Sequence, residues 1–110
     1  MHRLIKATCA IAAEEIGKAR AACIAAKAQK RYEELCRENA SDSKALRAHT
    51  YARIYPAIAV YEALRSNGMD QERAVWVIRE YFQRIAAALH RICSERLKCS
   101  AWQRRFRVSS

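Results

Sequence analysis

An all-α fold is predicted by three features of the chain. Gly occurs twice and Pro once in 110 residues, which leaves little material for hairpins and tight turns. Ala, Arg, Glu, Lys, Leu and Ile dominate, and most of these are good helix formers. Apolar residues recur at steps of three and four along nearly the whole sequence, the period of a helix with one buried face. The length is that of one domain with a modest core. Three main helices are expected in a small bundle, at about 3–38, 44–66 and 70–99. Residues 1–99 then form a helical domain, and 100–110 a short basic, aromatic tail.

The first helix is read from Ile5, Cys9, Ala12, Ile16, Ala19, Cys23 and Ala26, a single stripe at alternating steps of four and three. Most of its members are small, so a partner helix approaches closely. The stripe breaks at Lys30 and resumes on a shifted face with Tyr32, Leu35 and Cys36, which places a bend or a change of partner near Gln29. Asn39 opens a loop of turn-forming residues in which Ser41 or Ser43 caps the next helix.

The second helix is apolar nearly all round between Ile54 and Leu64, with Glu62 its only charge, and is expected at the centre of the bundle. Pro56 lies inside it. Either the helix kinks there, or a preceding turn ends and Pro56 opens a new helix. Asn67-Gly68 is the clearest stop signal, a left-handed cap, and Asp70 caps the third helix with Glu72 in its first turn. The core stripe of that helix is Val75, Ile78, Phe82, Ile85, Leu89 and Ile92.

Charge is the strongest functional signal. The formal net charge is +10, and residues 85–110 carry Arg91, Arg96, Lys98, Arg104, Arg105 and Arg107 against Glu95 alone. Such a segment attracts phosphate backbones. Trp102 and Phe106 among the arginines suit base stacking or a membrane interface. The plainer reading is a solvated end whose aromatics pack on a neighbouring helix or subunit. No nucleic-acid-binding signature accompanies the charge.

Chemistry-bearing residues occur only as fragments. Cys9, Cys23, Cys36, Cys93 and Cys99 are odd in number and match no zinc spacing, so reduced thiols in the cytoplasm are expected. Arg3 and Lys6 before the apolar stretch 7–13 imitate a weak export signal that runs directly into Glu14 and Glu15. The longest uncharged apolar run, 54–61, is too short to span a bilayer. His90 and Cys93 share a helix face but supply two ligands where zinc takes three or four, and His49 and Cys36 are a second candidate approach. Tyr51, Tyr55, Tyr61 and Tyr81 either line a pocket or, more ordinarily, pack as core rings with one polar edge. No phosphate loop, serine elbow or HExxH motif is present. The catalytic residues are unknown, and neither a cofactor nor a metal is expected.

One stretch carries a resemblance. Residues 54–84, IYPAIAVYEALRSNGMDQERAVWVIREYFQR, combine an apolar helix ending in Tyr61-Glu-Ala-Leu64, a glycine at 68, an acid-rich cap and Ala74 opening the next helix. This segment resembles the helix–turn–helix centre of the L-2-amino-thiazoline-4-carboxylic acid hydrolase family. The resemblance implies a bacterial helical protein that opens a cyclic thiazoline carboxylate, with a small anionic substrate. Family members are longer, and the downstream part with its further cysteines and acids has no counterpart here. No catalytic residue is therefore carried over, and a truncated or non-catalytic relative is expected. The alternative is a non-enzymatic basic helical module. It would pair with itself or another helix, or bind nucleic acid through Trp102, Arg104, Arg105 and Arg107.

Overall fold

The computed structural model describes the backbone of residues 1–39 and 48–108, and side chains through Ser94. Every regular element among them is helical. Helix α1 spans Arg3–Ile16 and α2 spans Lys18–Glu38. A helical run opening at residue 48 passes through a π-turn, Thr50–Ile54, into α3, Tyr55–Ser66. Helix α4 spans Gln71–Val108.

The single first helix expected over 3–38 is two helices, folded back on each other at Gly17. This glycine has φ 90° and ψ 155°, a region open essentially to glycine alone. Its N–H donates to the Ala13 carbonyl at 2.9 Å, closing α1, and its carbonyl accepts from the Ala21 N–H at 3.1 Å, opening α2. The break also resets the buried face. Ile5, Cys9 and Ala12 of the expected stripe are buried, but Ala19, Cys23 and Ala26 are exposed. Ala21, Ile24, Ala25 and Ala28 take their place in the core. No bend is needed at Gln29, because the change of face has already occurred at Gly17.

Pro56 occupies the second position of α3, and the turn before it is wide. The Tyr55 N–H reaches back to the Thr50 carbonyl. Proline has no N–H to give, and its ring crowds the carbonyl four residues back, so an inserted residue relieves both problems. The structure lies between the two readings of Pro56: a preceding turn gives way to α3 with the proline in its first turn, but the helical run from residue 48 continues through it. Helix α3 lies at the centre, packing most extensively on α2, yet it is not buried all round. Pro56, Ala59, Val60, Ala63 and Leu64 face inward, whereas Ile54 and Ile58 are exposed. The Ser41 and Ser43 caps lie outside the described residues.

The turn at Asn67-Gly68 forms as its residues dictate. The Gly68 N–H donates to the Arg65 carbonyl and the Met69 N–H to the Leu64 carbonyl, both at 3.1 Å, with Gly68 at φ 92°. That pair of bonds is the Schellman arrangement, completed by Met69 packing against the core that contains Leu64. The Asp70 carboxylate accepts from the Arg73 N–H at 2.8 Å and caps α4.

Helix α4 does not stop near Cys99 but runs to Val108. Its 38 residues extend about 57 Å at 1.5 Å per residue, close to the 63 Å long axis of the molecule. The radius of gyration, 18.6 Å, exceeds the roughly 13 Å of a globule of this length. The excess length belongs to α4. Ala74 and Val77 are buried, Ile78, Phe82 and Ile85 are half-buried, and residues 89–93 are all exposed. Five successive residues cover every side of a helix, so α4 stands clear of the bundle there.

Candidate functional site

Three places bring functional groups together. The first joins the start of α1, the end of α2 and the π-turn. The backbone N–H of His2 donates to Gln29 Oε1 at 2.8 Å, and His2 Nδ1 accepts from the Leu4 N–H at 3.1 Å, capping α1. The His2 ring meets the Tyr32 ring edge-on, with centroids 4.8 Å apart. Tyr32 hydrogen-bonds the Cys36 side chain, and burial together with this neighbour pushes its phenol up to about 12. The Tyr51 hydroxyl donates to the Cys36 and Asn39 carbonyls, each at 3.2 Å, and its ring lies 5.5 Å from that of Tyr55.

This cluster contains a thiol, but its neighbours do not suit a hydrolase. A phenol held near 12 keeps its proton at neutral pH and is no base. Burial lowers the His2 pKa below its ordinary 6.5, partly offset by a bond to the backbone of Tyr51. With Nδ1 accepting from Leu4 and the ring bonded to Tyr51, neither nitrogen is left to activate Cys36. The groups tie three chain segments together. Tyr51 thus serves as a packing ring with a polar edge, the more ordinary of the two readings, whereas Tyr81 lines a groove beside the last helix.

The second place is an open cleft of about 240 Å³ where the Gly17 and Asn67-Gly68 turns meet. Arg73 Nε bonds Glu15 at 2.6 Å, and its guanidinium lies 4.0 Å from the Trp76 ring centroid. Arg20 donates to the Asn67 carbonyl at 3.1 Å. Two acids, Glu15 and Asp70, balance the two arginines in the cleft lining. The turn of the 54–84 segment is thus held by one ion pair and an arginine–carbonyl bond, and the cleft has no cationic excess to draw in a carboxylate.

The third place is the apolar face of α4. Between the start of α1, the π-turn and α4 lies a groove of about 440 Å³. Leu4, Ala52, Phe82, Ile85, Ala86 and Leu89 form its apolar surface together with the Tyr81 ring, and Arg3 and Arg53 also line it. Leu89 is 50% and Ile92 47% exposed. These two were expected in the core. They miss it because α1, which α4 packs against, begins at Arg3, so Leu89 shares only an open groove with its first turn and Ile92 lies beyond the groove lining.

The remaining candidates are dispersed. His90 and Cys93 are exposed on the free part of α4, and among the described residues no three metal-binding side chains converge. His49 is exposed, and the side chain that engages Cys36 is Tyr32. Cys9 is buried, and burial raises its thiol to about 11, while Cys23, expected in the core, is exposed through the reset at Gly17. The side chains of Cys99, Trp102, Arg104, Arg105, Phe106 and Arg107 lie outside the described residues. No described helix is long and apolar enough to cross a membrane. No family model, curated protein or solved structure matches the chain.

The α4 face was partly readable from sequence. Its residues were identified by spacing, but spacing does not say whether a stripe is covered. The groove needed Leu4, Ala52 and Phe82 to converge from three segments, and no local signal reports that.

Proposed function

We propose that the chain is a non-enzymatic helical interaction module that docks a helical partner along α4. The observation that carries this reading is the exposure of Leu89 and Ile92 in line with Phe82 and Ile85, on a stretch of helix that stands clear of the bundle. An apolar stripe presented on a rigid helix is the usual element of helix-in-groove and coiled-coil pairing. The reading keeps the cytoplasmic, reduced-thiol setting expected from the cysteines. Hydrolysis of a thiazoline carboxylate rests on the resemblance over 54–84 alone, since the Cys36 cluster lacks a base. Nucleic-acid binding rests on the sequence of the segment beyond Ser94.

The test is sedimentation velocity and partner binding for the wild-type chain and for Leu89→Glu/Ile92→Glu. Association that disappears in the double variant supports the reading. Turnover of a thiazoline carboxylate by the purified chain, lost in Cys36→Ser, would overturn it.

A further inference from the structure

We propose that the groove between α1, the π-turn and α4 takes an acidic amphipathic helix of another protein, rather than a second copy of this chain. The inference rests on the interaction-module reading and assigns the chemistry of the partner. The apolar part of the surface comprises Leu4, Phe82, Ile85 and Leu89, continued along α4 by Ile92. From Phe82 to Ile92 it runs about 15 Å, the length of about three helical turns. Aliphatic side chains at this spacing receive leucine-like anchors, with the rings of Tyr81 and Phe82 beside them.

The rim fixes the sign of the partner. Arg3 and Arg53 are exposed at the groove edge, and among the described residues no acid pairs with either. No acidic residue lines the groove. Arg79 lies on the same α4 face as Ala86, seven residues before it. Glu80, the nearest acid on α4, is paired with Arg84 at 3.1 Å. Beyond Ser94 the sequence of α4 adds Arg96, Lys98, Arg104, Arg105 and Arg107 against Glu95. A second copy laid along this face would bring α4 arginines against Arg3 and Arg53, so like charges oppose self-pairing. An acidic helix meets complementary charge at Arg3 and Arg53 and anchors its leucines on the apolar side chains beside them.

The experiment measures fluorescence anisotropy of two labelled synthetic helices with the full chain. Both have leucines at steps of three and four. One has glutamate on its flanks and the other lysine. The glutamate helix is expected to bind at least tenfold more tightly than the lysine helix. Raising salt from about 0.05 M to about 0.5 M should weaken it at least tenfold. Arg3→Glu/Arg53→Glu, both at exposed positions, should weaken the glutamate helix at least tenfold and admit the lysine helix. Leu89→Glu should abolish binding of either. Equal binding of the two helices to the wild-type chain overturns the proposal, as does glutamate-helix binding that ignores the Arg3/Arg53 change. An oligouridylate that displaces the glutamate helix and still binds Leu89→Glu overturns it in favour of nucleic acid. Self-association through Leu89 with neither helix bound overturns the acidic partner and leaves the interaction module standing. Absence of both self-association and helix binding overturns both.

Discussion

Replacing Gly17 by alanine tests whether the α1–α2 hairpin is set by one backbone conformation. A Cβ built at Gly17 meets no heavy atom within 4 Å, so packing contributes nothing to the cost. What remains is the torsional penalty of φ 90°, ψ 155°, about 1–3 kcal/mol for a non-glycine residue. Alanine recovers part of this, up to about 1 kcal/mol, by narrowing the unfolded ensemble. The net expectation is a loss of about 1–2 kcal/mol. In a domain of this size that lowers the thermal midpoint by roughly 5–10 °C. Urea titration should show the loss in the midpoint. A D-alanine at the same position, introduced by chemical ligation, accepts a positive φ and should retain wild-type stability. The alanine variant also frees residues 3–38 to form one straight helix. In that form Ala19, Cys23 and Ala26 would continue the stripe of Ile5, Cys9 and Ala12, and two chains would exchange helices into a dimer. A Gly17→Ala protein that stays monomeric and as stable as the wild type would refute the reasoning.

Other outcomes follow from individual groups. His2 has its pKa lowered by folding, so the unfolded chain takes up the proton first as pH falls. Its contribution to stability is complete above about pH 6.5 and is lost as pH drops through the lowered folded value. His2→Asn keeps a capping side chain without a titrating ring. It should flatten the fall in unfolding midpoint between about pH 7 and pH 5, and an unchanged pH profile would exclude His2 as its source. Exposed Cys23 and Cys93 should react with a thiol reagent within minutes. Buried Cys9, its thiol raised to about 11, should wait for unfolding, and early labelling of Cys9 would contradict its place in the core.

The sequence disclosed the helices better than it disclosed their partners. Asn67-Gly68 and Asp70 were legible because the cap and the turn are local, set by residues that hydrogen-bond their own backbone. Gly17 was not read as a break, because a lone glycine inside a helical pattern is tolerated at modest cost. The stripe through Ala19, Cys23 and Ala26 also continued across it in phase. Only the packing of α2 against α3 shows that Ala21, Ile24, Ala25 and Ala28 are the buried set. Pro56 announced an interruption but not the π-turn that absorbs it. For α4, the period located Leu89 and Ile92. Whether they are covered depends on how far α1 reaches, and that follows from the hairpin at Gly17. The His2–Tyr32–Cys36–Tyr51 cluster was invisible for the same reason, since its members come from three segments.

The central claim is that the free stretch of α4 is a surface for a partner and not part of the core. The unfolding free energy of Leu89→Glu/Ile92→Glu, measured by urea titration beside the wild type, tests it without knowledge of the partner. Side chains 50% and 47% exposed have about half of a core residue's burial to lose, part of it against their own helix, so a combined cost of no more than about 2 kcal/mol is expected with an unchanged urea slope. A loss of about 3 kcal/mol or more would place the two residues in the folded core and contradict the account.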